Sequence, residues 1–302
     1  MSKLTSKLPK PYYKTRHGAA YVGDALELIK NIPDGKVSLI MTSPPFALKK
    51  KKSYGNEHAS QYVEWFMPFA KEFWRVLATD GSLVIHIGGT WNRKQPTRSL
   101  YHFELLFELC RAEKVTHKFY LAQDFYWYNP AKLPSPAEWV TIRRVRAKDA
   151  VDPIWWLSKS PFPKADNRRV LAPYSKAMLR LIERGYNAGP RPSGHIISSK
   201  FQQNHGGSIP PNILTISNTN SNDEYLRSCR NSKITPHPAR YPVPLPEFFI
   251  KFLTEEGDVV LDPFAGSNAT GRAAENTKRT WLCFEKNQTY LEGSKFRFEL
   301  EA

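Results

Sequence analysis

The sequence predicts an α/β fold with a largely parallel sheet and one loop-rich insert, and three observations carry that expectation. Hydrophobic runs rich in Val, Ile, Leu and Phe alternate with amphipathic stretches at helical spacing, the pattern of parallel strands joined by crossover helices. One such run, DVVLDPFAGSNATGRAAE, leads from a strand through a small-residue loop into a helix. Between residues 161 and 235 the alternation stops, and Ser, Asn, Gly and Pro take over in RPSGHIISSKFQQNHGGSIPPNILTISNTNSN.

The elements follow in order. AAYVGDALELI, from Ala19, reads as a strand, a turn at Gly23-Asp24 and an amphipathic helix over 25–30. KVSLIMTSPPF places a buried strand at Val37 to Thr42, stopped by two prolines that cannot donate to a sheet ladder. QYVEWFMPFAKEFWRVL is helical, with Val63, Phe66, Ala70, Phe73 and Leu77 on one face. GSLVIHIGG is a buried strand that begins after an Asp80-Gly81 turn. SLYHFELLFELCRAE is a helix, and FYLAQDFYWYNP and DPIWWLSKS are strands, the latter with Trp155 and Trp156 in the core. Tyr126, Trp127 and Tyr128 alternate in facing, so one of them is expected to line a pocket. The insert has room for one short helix at 174–184; the regular pattern then resumes with PLPEFFIKFLT, a helix, and RTWLCFEKN, a strand. Residues 1–16 hold Lys3, Lys7, Lys10, Lys14 and Arg16 but no acid, and are expected to form a flexible basic arm.

Composition narrows the function. Lys and Arg number 44 against 28 Asp and Glu, a net charge of +16, which points to nucleic acid ahead of an anionic membrane surface. No stretch approaches the roughly 18 apolar residues of a membrane span, and the basic N-terminus lacks the apolar segment of a secretory signal. Cys110, Cys229 and Cys283 lie far apart with no CxxC or CxxH spacing, which argues against a zinc site or a disulfide framework and fits a reducing cytosol. His86 and His195 have no metal partners at useful spacing and receive no chemical role.

Two places carry chemistry. Val259 to Leu261 form a hydrophobic strand that ends in Asp262, and Pro263, Phe264, Ala265, Gly266 and Ser267 make the turn before a helix from about Ala269. Glycine allows close backbone approach, a helix N-terminus offers free N–H groups, and Glu285 at the end of the next strand can accept from ribose hydroxyls. The loop is neither GxGxxG nor GxxxxGK[ST], which disfavours a dinucleotide site and a P-loop; nucleoside binding and an ordinary turn both stay open. It resembles the AdoMet (S-adenosyl-L-methionine) loop of the amino-directed DNA methyltransferases, with Asn268 and Ala269 where that family usually has Gly and Thr. Asparagine tolerates unusual backbone angles, so the loop is expected to keep its shape.

The second place is Ser43-Pro44-Pro45-Phe46, at the carboxyl end of a strand, where ligands bind in open α/β sheets. A proline-capped strand end is the plain reading. The chemical one starts from cytosine N4, whose lone pair is delocalised into the ring. Two acceptors aimed at its N–H bonds, the Ser43 hydroxyl and the Pro44 carbonyl, would help it pyramidalise, and Phe46 would stack on a base taken out of the helix.

With the motif order tip, recognition region, AdoMet loop, the chain is identified as a member of the beta class of amino-directed DNA methyltransferases, and it resembles the PvuII-type N4-cytosine group. TSPPFALKKKKSYGN, DFYWYNPAKLPSPAEWV, PSGHI, GGSIPPNILTISN and HPARYPVPLPEFFIKFLT carry the resemblance, over about residues 20 to 290. It implies a Rossmann-like AdoMet-dependent methyltransferase domain with permuted motif order, at 17–160 and 236–302, split by a target-recognition region at 161–235 and preceded by the arm at 1–16. It also implies AdoMet without a metal, double-stranded DNA without a membrane, and the bacterial cytoplasm in association with the nucleoid. The expected assembly is a monomer or weak homodimer, working as the modification half of a restriction–modification pair beside a cognate endonuclease.

The resemblance also distributes roles. Ser43, Pro44, Pro45 and Phe46 are catalytic. Asp24 meets the adenine amino group, although an Asp there also suits a helix cap. Glu285 takes the ribose, Asp262 lies near the methionine amino group, and Phe264, Ala265, Gly266 and Ser267 wrap the cofactor with backbone. Arg240, in HPARYP, holds the AdoMet carboxylate or a DNA phosphate. Lys49, Lys50, Lys51 and Lys52 follow the tip and are expected to grip phosphates, as are Arg143, Arg144, Arg146 and Lys148. Arg191, Asn204, His205 and Asn212 are candidate base readers in the insert.

Three rivals are weighed. C5-cytosine methylation needs a thiolate, typically in a Pro-Cys pair, but Leu109, Ser228 and Leu282 precede the cysteines. N6-adenine methylation usually has Asp or Asn before Pro-Pro, where this chain has Ser43. A non-catalytic DNA-binding protein on an inactive methyltransferase scaffold is disfavoured by intact Ser43, Asp262 and Glu285.

Overall fold

In a computed structural model of the protein, the structure describes residues 4–47, 57–92, 94–111, 117–185, 189–194, 196–197, 203–219 and 223–298. The chain divides into two compact units, residues 1–165 with 212–302 and residues 166–211.

The large unit is built on a nine-stranded sheet. Its strands are β1 (Tyr13–Lys14), β2 (Gly18–Val22), β3 (Val37–Thr42), β4 (Leu77–His86), β5 (Tyr120–Tyr128), β6 (Val151–Ser158), β9 (Ile213–Thr215), β10 (Val259–Asp262) and β11 (Thr280–Glu285). The spatial order is β1-β2-β11-β10-β3-β4-β6-β5-β9. β2, β11, β10, β3 and β4 run parallel to one another, while β6 turns antiparallel against both β4 and β5. Helices α1 (Ala25–Ile29), α2 (Tyr62–Val76) and α3 (Tyr101–Cys110) pack on one face; α6 (Pro244–Leu253), α7 (Ala269–Asn276) and α8 (Gln288–Ser294) pack on the other, and α5 (Glu224–Asn231) precedes α6.

The alternation of side chains explains why both faces are covered. Along β11, Leu282 and Phe284 join the α1–α3 core, while Trp281 and Cys283 join the α6–α8 core; Ile40 and Leu39 divide the same way on β3. The chain leaves β10 through α7 toward β11 on one side, and leaves β3 through α2 toward β4 on the other. The carboxyl ends of β10 and β3 therefore flank a topological switch point, the usual ligand crevice of such sheets.

Three expectations change. The basic arm is tied down from Leu4 onward: Leu4 and Leu8 pack on the core, and buried Tyr13 bonds the Ser294 hydroxyl at 2.7 Å. Its aromatic and aliphatic residues, sparse among the lysines, supply the anchoring. Asp80-Gly81 is not a turn before β4 but an irregularity inside it, where the pairing with β3 shifts register. Residues 212–219 leave the loop-rich stretch and add β9 to the large sheet, where Leu214 is buried. In the smaller unit, 166–211, lie α4 (Lys176–Arg184), capped by Ser175, and the short hairpin β7 (Gly189–Pro190) and β8 (Ile196–Ile197). Among the described residues no helix is long and apolar enough to cross a membrane.

Candidate active site

A cavity of about 700 Å³ opens at the switch point. That volume suits a nucleoside-sized ligand with a second ring beside it. Its walls come from the β2–α1 turn, the tip after β3, the end of β4, the 237–241 loop and the loop after β10.

Asp262 binds these walls together from behind. It is fully buried and is not itself on the cavity surface. One carboxylate oxygen accepts from the Thr42 hydroxyl (2.8 Å) and the Phe264 amide (3.1 Å), the other from the Thr270 (2.6 Å) and Tyr241 (3.1 Å) hydroxyls. Burial pushes its carboxyl above the ordinary range, opposed by these hydrogen bonds, Thr270 first. The side chain thus ties the last residue of β3 to the first turn of the glycine loop.

The loop itself is shaped by backbone. Gly266 has φ +53°, and a Cβ there would come within 3.2 Å of the His237 ring. Asn268 adopts the left-handed conformation at φ +55° and caps α7, accepting from the Gly271 amide at 2.9 Å. Glu285 accepts from the Gly266 amide (2.9 Å) and the Asn287 amide (2.8 Å), one on each oxygen, so each oxygen keeps acceptor capacity. Burial raises its carboxyl, opposed by those backbone donors. Asp24 splits its two oxygens: Oδ1 caps α1 through the Leu26 amide at 3.0 Å, and Oδ2 lies 3.7 Å from the Lys286 ammonium. The cap and a ligand contact are therefore compatible.

Trp65, Phe69 and Phe264 line an aromatic part of the wall, with ring centroids 5.2 to 6.0 Å apart. An aromatic wall, two carboxylates with acceptor capacity and a stretch of bare backbone fit the adenosine of AdoMet. Arg240 also reaches the cavity; its guanidinium lies 5.6 Å over the Tyr225 ring, and its carbonyl accepts from the Asn218 amide. Burial lowers the neighbouring His237 to about 4, so its ring is neutral near neutral pH.

The tip after β3 faces this loop. Pro44 is buried; Ser43, Pro45 and Phe46 are half-buried, and all four line the cavity. A Cβ on Gly88 would meet the Phe46 ring at 2.6 Å, so glycine there lets the ring lie on the backbone beyond β4.

His86 is the residue that sequence reasoning passed over. It ends β4, is 6% exposed and lines the cavity. Its Nδ1 is 3.0 Å from the Ser43 hydroxyl, and its Nε2 is 4.0 Å from an Asp152 oxygen. Lys132 holds Asp152 at 2.7 and 2.8 Å. Burial raises the Asp152 carboxyl, but His86 and Lys132 outweigh it and hold it down at about 2. Among Tyr126, Trp127 and Tyr128, Trp127 lines the cavity, with its ring 5.3 Å from His86. Trp155 and Trp156 are core residues.

Lys49 to Lys52 and His195 fall outside the described residues. Arg143 pairs with Glu138 at 2.6 Å and lies over Trp139; Arg144 is exposed at φ +56°, and Arg146 stacks 3.8 Å over Trp91. None of the three lines the cavity. Arg191, Asn204 and His205 belong to the smaller unit. The Asn212 amide donates to the Asp124 carbonyl at 2.9 Å, fixing β9 beside β5.

Comparison with known proteins agrees with this geometry. The DNA methylase family model matches residues 37–296. The chain is 51% identical over 292 residues to the type II methyltransferase M.PvuII of Proteus hauseri, covering 96% of this chain and 86% of that protein. It superposes on a solved PvuII DNA methyltransferase (cytosine-N4-specific) with a TM-score of 0.78 and 44% identity, covering 97% and 90% of the two chains. A putative DNA modification methylase from Thermus thermophilus, solved with S-adenosyl-L-methionine, shares the fold, at TM-score 0.55 and 21% identity over 93% of this chain and 94% of that one.

Proposed function

The chain belongs to the DNA methylase family, and on that premise we propose that it transfers a methyl group from AdoMet to the exocyclic N4 amine of a cytosine flipped out of duplex DNA. One juxtaposition carries this most: Ser43 and Pro44, just after β3, line a single cavity with Gly266 and Glu285, which bond to each other. AdoMet supplies a methyl group on a sulfonium sulfur, which keeps the C–S electron pair as the N4 lone pair forms the new C–N bond. The residues around it bind, orient and exclude water.

Glu285 takes the ribose hydroxyls and Asp24, through Oδ2, the adenine amino group. Phe264, Ala265, Gly266 and Ser267 wrap the cofactor with backbone. Arg240 takes the carboxylate end. Asp262 we assign a positioning role in place of direct contact, because its four donors are all internal. Ser43 and the Pro44 carbonyl accept the two N4 hydrogens, with Pro45 stiffening the turn, and Phe46 packs on the flipped base.

A serine at the tip, in place of the Asp or Asn usual for adenine, favours cytosine, as does the cytosine-N4 specificity of the solved relative. We assign residues 17–160 and 236–302 to the catalytic domain and 161–235 to target recognition, with 166–211 as a compact unit of its own and 212–235 built onto the large unit. Lys49 to Lys52, Arg143, Arg144, Arg146 and Arg191 grip or read the duplex. We assign it action as a monomer or weak homodimer in the bacterial cytoplasm, as the modification half beside a cognate endonuclease.

The test is incubation with methyl-labelled AdoMet and duplex DNA. Label is expected in DNA. Tight AdoMet binding without label in any duplex would overturn the enzyme reading in favour of a DNA-binding protein on an inactive scaffold.

A further inference from the structure

We propose that His86, oriented by Asp152, fixes the Ser43 hydroxyl as a hydrogen-bond acceptor for the target amine and takes up the proton that the amine must lose. This rests on the methyl-transfer reading above.

A serine hydroxyl both donates and accepts. To accept an N4–H, it must spend its own hydrogen elsewhere. The fold provides the place. Thr42 pairs with Ile85 in the parallel β3–β4 ladder, so the next residues, Ser43 and His86, come side by side, 3.0 Å apart from Oγ to Nδ1. His86 pairs with Ile154 on antiparallel β6, and Asp152 stands two residues along, on the same side of that strand. Its Oδ2 lies 4.0 Å from Nε2, beyond hydrogen-bond length but close enough to set the electrostatic field at that nitrogen.

Nε2 is buried and has no hydrogen-bond partner among the described residues. The Lys132 ammonium on both oxygens keeps Asp152 ionised. A ring proton is therefore favoured on Nε2, facing the negative charge, and Nδ1 is left as the acceptor. Ser43 then donates to Nδ1, and its lone pairs face the cavity. Among the described residues, the titratable Tyr241 ring also packs against it, with centroids 6.1 Å apart and its hydroxyl already committed to Asp262 and Thr270, and Phe46 and Trp127 make T-shaped contacts with it.

The proton balance closes. N4 begins with two hydrogens and, once its lone pair has formed the C–N bond, carries a positive charge. One N4 hydrogen passes to Ser43 Oγ, and the serine's own hydrogen passes to Nδ1. His86 becomes an imidazolium opposite Asp152, and N4 is left neutral with one hydrogen and one methyl. His86 loses its extra proton to water after product release.

The experiment compares the full-length enzyme with His86→Gln and Asp152→Asn by single-turnover methylation of duplex DNA across pH, with AdoMet and DNA affinities measured in parallel. Glutamine can still accept from Ser43 but cannot take a proton. His86→Gln is expected to slow turnover by about 10²-fold or more with both affinities little changed, and to abolish the acid limb of the pH–rate profile. Asp152→Asn is expected to shift that limb to lower pH, because the imidazolium loses its counter-charge. In the cofactor-free wild type, ¹⁵N NMR is expected to show His86 protonated on Nε2. A His86→Gln enzyme at wild-type rate, a retained acid limb, or a ring protonated on Nδ1 would overturn the relay while leaving methyl transfer intact. A wild-type enzyme that labels no DNA would overturn both.

Discussion

Removal of Ser43 is expected to separate chemistry from binding. In the proposed mechanism its hydroxyl meets the target amine, whereas the proposed cofactor contacts are Asp24, Glu285 and the 264–267 backbone of the same cavity. Ser43→Ala is expected to cut the methylation rate by about 10²-fold, with the AdoMet dissociation constant within about twofold of wild type. Calorimetric titration of AdoMet into the variant, beside a rate measurement, checks both halves. Asp152 makes a pH-dependent prediction. Its folded value is held at about 2, below the ordinary 3.8, so its stabilising contribution is present above the ordinary value and is lost as pH falls toward about 2. Asp152→Asn should therefore be less stable than wild type by about 2 kcal/mol at pH 6, with the gap closing as pH falls from about 4 to 2; urea unfolding across pH measures it. At this scale the sequence was partly legible. Ser43 and Glu285 announce themselves by standing at strand ends beside special turns. His86 does not, because its partners Lys132 and Asp152 are remote in sequence and meet it only through the β4–β6 pairing.

At the scale of elements, the β10–α7 turn shapes the wall proposed to hold the cofactor. Asn268 does several things at once: it takes the left-handed backbone, caps α7 through the Gly271 amide, and donates to the Tyr13 hydroxyl at 2.8 Å. Asn268→Ala loses the cap and strains the backbone, at a cost of about 2 kcal/mol; Asn268→Gly keeps the backbone and costs about half as much. Thermal unfolding should rank the melting temperatures wild type, glycine variant, alanine variant. The bond to Tyr13 also shows why β1 eluded sequence reading. Two residues cannot show a period, and their lysine-rich setting resembles a tail; the anchoring comes from Tyr13 meeting α7 and α8. β3, by contrast, ends at Thr42 as its hydrophobic run and double proline predict. β9 was hidden because three residues inside a polar stretch have strand character only in the company of β5.

At the scale of the whole molecule, the +16 charge becomes a prediction about salt. If it serves as a phosphate grip, DNA affinity should fall by about 10³-fold or more between 50 and 200 mM salt, while AdoMet affinity changes little. Replacing Arg143 and Arg144 together with glutamine should lower the slope of log affinity against log salt by about 2, measured by fluorescence anisotropy on duplex DNA. An unchanged slope would remove that stripe from the DNA surface. The same arrangement underlies the proposed product. The switch point gathers a serine tip, a proline carbonyl and an aromatic, carboxylate-bearing wall around one cavity, for which the product proposed above is a methylated cytosine amine. Digestion of the modified duplex to nucleosides, with mass spectrometric identification, tests this most directly. N4-methyl-2′-deoxycytidine is predicted; N6-methyl-2′-deoxyadenosine as the labelled product would contradict it.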